Sequence, residues 1–134
     1  MKTSILFFAV LFISISFNAQ EFKFEEETID YGKIEKASNG ERTFVFTNTG
    51  DQPLIIQKIK SSCGCTVPKK PSGPIMPGEK GEIKVSYDTK RVGGFSKSIT
   101  ITSNAKNALK VIKIKGFVNK EISLEKEKSI LSDN

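Results

Sequence analysis

The stretch "LKVIKIKGFV", residues 109 to 118, sets Ile112, Ile114 and Val118 on one face and Lys113 and Lys115 on the other. Successive side chains of a strand point to opposite sides, so a period of two describes a strand with one face in a core and one in water. The pattern recurs upstream. "EIKVSYD" at 82 to 88 aligns Ile83, Val85 and Tyr87. "FSKSITITSN" at 95 to 104 aligns Phe95, Ile99 and Ile101, with Lys97 interrupting that face. "RTFVFTN" at 42 to 48 alternates Phe44 and Phe46 against Thr43, Val45 and Thr47, and "TIDYGKI" brings Ile29, Tyr31 and, past a glycine, Ile34 into line.

Turn residues separate these runs. Asn39-Gly40 predicts a tight hairpin turn, because both residues tolerate positive φ. Gly50 and Pro53 mark a turn before "LIIQKIKSS" at 54 to 62, and Gly93-Gly94 reads as hairpin geometry. "VPKKPSGPIMPGEKG" at 67 to 81 carries Pro68, Pro71, Pro74 and Pro77. Proline cannot donate to a sheet ladder, so this piece is expected to be an extended loop or an edge. Pro77-Gly78 fits a type II turn. No stretch before residue 120 shows a helical period with caps. Short strands at this spacing predict an all-β fold, an antiparallel β-sandwich of about seven strands.

The N-terminus has its own character. Lys2 precedes an uncharged run from Ile5 to Phe17, and Ala19 offers a cleavage point. That is signal-peptide architecture, and the run is too short to span a bilayer. Cleavage there leaves about 115 residues, the size of one domain. The expected division is 1–19 leader, 20–120 sandwich and 121–134 charged tail, in which Ile122 and Leu124 extend the last strand. The mature chain is expected to be exported, periplasmic or extracellular, with no membrane span.

Composition trims the functional classes. The formal charge is +6, but the lysines are scattered singly, as expected of solvated strand faces and not of a nucleic-acid patch. There is no histidine. The commonest general base and the commonest metal ligand are therefore absent.

The chemistry-bearing feature is "SSCGCT" at 61 to 66, which holds the only two cysteines, Cys63 and Cys65, around Gly64. In an extended strand their Cα atoms would lie about 6.6 Å apart, against about 5.5 to 6 Å in most disulfides. Gly64 can bend the chain and close the gap. A bridge across so small a loop stabilises a fold by only about 1.5 kcal/mol, so if formed it is a reactive bond sooner than a staple. Lys60, Lys69 and Lys70 are the nearest cations in sequence that could favour a thiolate. Two thiolates could instead grip Cu(I), with Met76 as the other soft ligand of the mature chain. In the third reading at least one cysteine simply fills core space. Ile75 and Met76, on the proline-rich segment, either face a partner or cover one end of the sandwich.

"FTNTGDQPLIIQKIKSSCGCTVP", "IMPGEKGEIKVSYDTKRVGGFSKSITITSNA" and "LKVIKIKGFV" closely resemble an exported bacterial family, domain of unknown function 1573, from about Tyr31 to Val118. The asparagine-glycine turn, the cysteine-glycine-cysteine tripeptide and the proline-glycine turn fall in family order. The resemblance implies an immunoglobulin-like sandwich, similar in layout to pilus-chaperone, major-sperm-protein and ciliary domains, and export. It implies no activity. The expectation is a non-enzymatic module without cofactor or metal, protein-binding or structural in the envelope, with an unidentified envelope or extracellular partner. The alternative is a thiol-active protein, by disulfide exchange or Cu(I) binding, using Cys63 and Cys65.

Overall fold

The computed structural model describes residues 21–120. The expected leader (1–19) and charged tail (121–134), with Ile122 and Leu124, lie outside the described residues. Eight strands form: β1 (Phe22–Phe24), β2 (Thr28–Glu35), β3 (Glu41–Asn48), β4 (Ile56–Ser61), β5 (Thr66–Lys69), β6 (Lys80–Tyr87), β7 (Gly93–Ser103) and β8 (Leu109–Asn119). They build two four-stranded sheets, ordered β1-β3-β6-β5 and β2-β8-β7-β4. This is the expected immunoglobulin-like sandwich.

The alternation seen in the sequence is the inside-outside pattern of the sheets. Phe44 and Phe46 of β3 and Ile83 and Val85 of β6 supply one buried face. Ile99 and Ile101 of β7 with Ile112, Ile114 and Val118 of β8 supply the other. Each such side chain contributes about 1.5 to 3 kcal/mol when it leaves water. Phe22 and Phe24 of β1 close one flank, their ring centroids 5.7 and 5.3 Å from that of Phe46.

The eighth strand arises because the N-terminal run divides. β1 pairs antiparallel with β3 in one sheet, and β2 pairs parallel with β8 in the other. Parallel pairing is open to β2 because nearly the whole domain, not a short hairpin, connects it to β8. The β2 register shifts between Asp30 and Lys33, with Gly32 at φ +65, so Ile34 regains the inner side past the glycine.

Two expected hairpins are corrected. Asn39-Gly40 lies where the chain passes between sheets, from β2 to β3, and Gly93-Gly94 opens β7 after the chain has passed over from β6. Ala37, not Asn39, takes the left-handed conformation (φ 61). Gly40 is required for closeness, since a Cβ there would collide with the carbonyl oxygen of Tyr87. The Pro77-Gly78 turn forms as expected, with Gly78 at φ +80 and Glu79 N donating to the Met76 carbonyl at 3.0 Å. Pro68 sits in the edge strand β5.

A buried polar side chain braces each end. Asn48 is fully buried; its Nδ2 donates to the carbonyls of Gln52 (2.8 Å) and Ile75 (2.9 Å), and its Oδ1 accepts from Gly50 N (3.0 Å). At the other end the Tyr31 hydroxyl donates to the Gly40 carbonyl at 2.7 Å. Burial pushes the Tyr31 phenol up to about 12, against the opposing pull of Arg42, whose guanidinium carbon lies 4.2 Å from the ring centroid.

Replacing Asn48 by alanine removes the donor from the buried Ile75 carbonyl and from the part-buried Gln52 carbonyl. The variant is expected to lose about 2 to 3 kcal/mol in urea denaturation with an unchanged m-value. Tyr31 is held neutral in the fold, so its contribution is complete below its ordinary value of 10 and declines as pH rises toward about 12. A series of melts at rising pH across that window should show this decline, and Tyr31→Phe should flatten that component.

Candidate functional site

β4 ends at Ser61 in one sheet and β5 begins at Thr66 in the other, so the segment between them must cross the sandwich. Cys63, Gly64 and Cys65 make that crossing. The two cysteines are joined in a disulfide, with Cα atoms 5.4 Å apart, closer than the roughly 6.6 Å of an extended strand. The bend does not need glycine's special backbone, because Gly64 has no positive φ and a Cβ there would meet nothing within 4 Å. What glycine provides is a bare, exposed tip beside the sulfurs.

The two sulfurs have unlike surroundings. Cys65 belongs to the core, with 7% of its surface exposed, whereas Cys63 is half-buried at the core's margin. One hydroxyl serves both: Thr66 Oγ1 lies 3.7 Å from Cys63 Sγ and 3.9 Å from Cys65 Sγ. The Cys65 carbonyl accepts from Asp88 N at 2.9 Å. Ser62 N donates to the Ser98 carbonyl at 2.9 Å, and Ser98 N to Ser62 Oγ at 3.1 Å. Thr66 is in register with Tyr87. The Tyr87 ring stacks on Phe95 (3.8 Å, 16°), which meets Tyr31 edge-on at 5.2 Å. The crossing is thus tied on both sides to a firm aromatic layer.

The cations nearest in sequence are not those nearest in the sheet. Lys60 pairs with Thr100 on the outer face and is exposed. Lys69 lines an outer hollow of the other sheet with Val67, Lys84 and Ser86, and Lys70 follows it among Pro71 and Ser72. Lys97 is different. β4 and β7 run in the register Lys60↔Thr100 and Ser61↔Ile99, which the Ser62–Ser98 bonds continue. Lys97 is thus the cation that adjoins the crossing's first tie, one residue from Ser98 as Cys63 is one residue from Ser62. Lys97 stands half-buried on the inner row with Phe95, Ile99 and Ile101. In sequence it shows only as a charge interrupting an apolar face.

Ile75 and Met76 part company. Ile75 is buried, and its backbone exchanges two hydrogen bonds with Leu54 at 2.8 and 2.9 Å, while Met76 is 47% exposed. Ile75 therefore covers the end of the sandwich, and only Met76 faces solvent. Leu54 precedes β4 and the cysteines follow it, so Met76 lies at the end opposite the sulfurs and cannot complete a soft-metal set with them. Among the described residues no group of three or more histidine, cysteine, aspartate or glutamate side chains could hold a metal ion.

The outer face of the β2-β8-β7-β4 sheet offers a second feature. An open depression of 630 Å³ lies among Asp30, Lys33, Gly94, Lys115 and Phe117. Phe117 is 46% exposed on β8, a central strand, and its row continues to Val111 (46%) and Leu109 (66%). Asp30 and Lys115 form an ion pair at 3.5 Å on the rim. The Gly32 N–H and this lysine both hold the Asp30 carboxyl below its ordinary value, the backbone bond foremost.

Residues 22–118 match the family described as protein of unknown function (DUF1573), and the chain belongs to that family. No curated protein matches the chain. Among solved structures, a protein of unknown function from Porphyromonas gingivalis W83 aligns with TM-score 0.66 and 16% identity over 80% of this chain and 51% of that one. This chain thus spans about half the length of that protein. The PapD-like domain 7 of human CEP192 aligns with TM-score 0.63 and 8% identity over 78% of this chain and 89% of that one. The CsuC–CsuE chaperone–tip adhesion subunit complex of Acinetobacter baumannii Csu pili gives TM-score 0.53 and 15% identity over 85% of this chain and 66% of that one. At these identities the likeness is one of fold.

Because both cysteines lie on a single crossing, their bond closes no large loop. The Cys63→Ser, Cys65→Ser double variant is expected to fold and to lose no more than about 1.5 kcal/mol by chemical denaturation. A variant that cannot reach a compact state would show that the sandwich depends on its sulfurs.

Proposed function

We propose that this member of the DUF1573 family is an exported, non-enzymatic module that binds another protein of the cell envelope through the outer face of the β2-β8-β7-β4 sheet. The observation that carries the reading is Phe117. It sits on a strand flanked on both sides, facing outward, beside a hollow that Gly94 leaves open and that Asp30, Lys33 and Lys115 ring with charge. A large apolar side chain held in water forgoes about 1.5 to 3 kcal/mol that a partner's cover would recover. An aromatic next to a small hollow with a polar rim is the anatomy of an interface centre. Export rests on the leader-like residues 1–19, with their early Lys2 and the uncharged run that follows. The fold supports the reading in one further respect: a sandwich presents broad rigid faces on which such a contact keeps its shape.

A photo-crosslinking residue at position 111, carried by the full chain in its own cell, should give a discrete adduct. The same residue at position 84, on the outer face of the other sheet, should not. Phe117→Glu should reduce the adduct from 111 at least about ten-fold, while Val67→Glu on the other face should leave it intact. Equal labelling from both faces, or an adduct indifferent to Phe117→Glu, would overturn the proposal. Fractionation tests the location: a mature chain beginning near Gln20 outside the cytoplasm is expected, and an uncleaved cytoplasmic chain would remove the envelope from the reading.

A further inference from the structure

We infer that the Cys63–Cys65 disulfide is an exchangeable redox pair, with Cys63 the sulfur that joins a partner, Cys65 the resolving thiol, and Lys97 the cation that favours the Cys63 thiolate. Three observations meet here. The bond closes only a three-residue loop, so opening it takes little stability from the fold. Its sulfurs are unequally exposed, Cys63 half-buried beside the bare Gly64 tip and Cys65 in the core. Lys97, half-buried on the inner row of β7, is the residue next to Ser98, whose carbonyl holds Ser62 N immediately before Cys63.

The step balances as follows. A thiolate of an exported polypeptide dithiol attacks Cys63 Sγ, the Cys63–Cys65 bond breaks, and Cys65 departs as a thiolate that can accept a hydrogen bond from Thr66 Oγ1. The partner now holds a mixed disulfide with Cys63. Its second thiol loses a proton to solvent and attacks its own sulfur in that bond. The partner disulfide forms, and Cys63 leaves as a thiolate beside Lys97. Two electrons and two protons have left the dithiol; the electrons reside on the cysteine pair and the protons pass through solvent. The reverse sequence, a Cys63 thiolate attacking a partner's disulfide, uses the same atoms.

Lys97 acts through Cys63 and is a positioning residue. The four ion pairs among the described residues do not include it, so no carboxylate among them neutralises its charge. Asp88, whose N–H donates to the Cys65 carbonyl, and Arg91 lie on the turn after β6. They pair with each other at 3.5 Å. Lys60 and Lys69 point to the outer faces.

The purified chain should be reduced reversibly in mixtures of reduced and oxidised glutathione, read by acid quenching, alkylation and intact mass, while its circular dichroism spectrum stays that of a β protein. Cys65→Ser, which keeps Cys63, should form a mixed disulfide with oxidised glutathione about ten-fold faster than Cys63→Ser, which keeps the buried sulfur. Within the Cys65→Ser background, Lys97→Gln should move the pH–rate midpoint for Cys63 upward and slow the reaction at neutral pH several-fold. Lys97→Arg should restore both, and Lys60→Gln should change neither. A pair that stays oxidised in excess reduced glutathione would overturn the inference. So would a Cys63→Ser chain that reacts as fast, or a Lys97→Gln profile that matches Lys60→Gln. None of these readouts involves Phe117, so the redox pair and the docking face stand or fall separately.

Discussion

The fold depends on two apolar sheet faces covering one another. A single four-stranded sheet with Phe44, Phe46, Ile83 and Val85 on one side would hold them in water, and no helix among the described residues is present to cover them. The second sheet does so with isoleucines and a valine from β7 and β8. Because the layers are interdependent, the chain builds them together, and most of its connections pass from one sheet to the other. Those crossings place demands on the sequence that a hairpin would not. Gly40 must let the chain run against the Tyr87 carbonyl, and the segment from Ser62 to Cys65 must turn through the thickness of the sandwich.

This explains why the cysteines stand apart from stability. A bridge linking the two sheets would remove freedom from a long stretch of the unfolded chain; one that spans Gly64 removes far less. The layers already have their core, and Asn48 and Tyr31 already fix the two ends. A bond that the fold does not require is one that can open and close without unfolding it. Structural redundancy is thus the condition that makes chemistry at Cys63 and Cys65 compatible with an intact domain.

Much of this was legible in the sequence, and what was not follows a rule. Period-two alternation identified the inner rows of β6, β7 and β8 residue by residue, and the shift past Gly32 in β2 could be read from the spacing of Tyr31 and Ile34. Pro68 marked an edge and Pro77-Gly78 a turn. Pairing was not legible, because it is settled by residues far apart. Asn39-Gly40 has hairpin chemistry whichever way the chain continues, and the contact that decides its use comes from Tyr87. The site divides the same way. The cysteines announced themselves, but sequence proximity pointed to Lys60, Lys69 and Lys70, whereas the Ser62–Ser98 tie points to Lys97. The clue that could have found it was the charge set among Phe95, Ile99 and Ile101.

The sheet edges, finally, bear on how a partner can approach. An open edge is a template for strand addition, and each edge here is blunted in its own way. β1 is three residues long, β5 contains Pro68 and lacks that donor, β2 is broken by the shift at Asp30–Lys33, and β4 carries Lys58 and Lys60. In β2 the Asp30 carboxylate accepts from Gly32 N at 2.8 Å, so the bulge satisfies one of the groups an incoming strand would seek. These devices disfavour growth along the sheets but leave their faces untouched. The outer face of β8, with Phe117, Val111 and Leu109 between its lysines, lies on an inner strand of its sheet, paired on both sides. A contact there relies on side chains instead of ladder hydrogen bonds, and side chains are what give recognition its specificity.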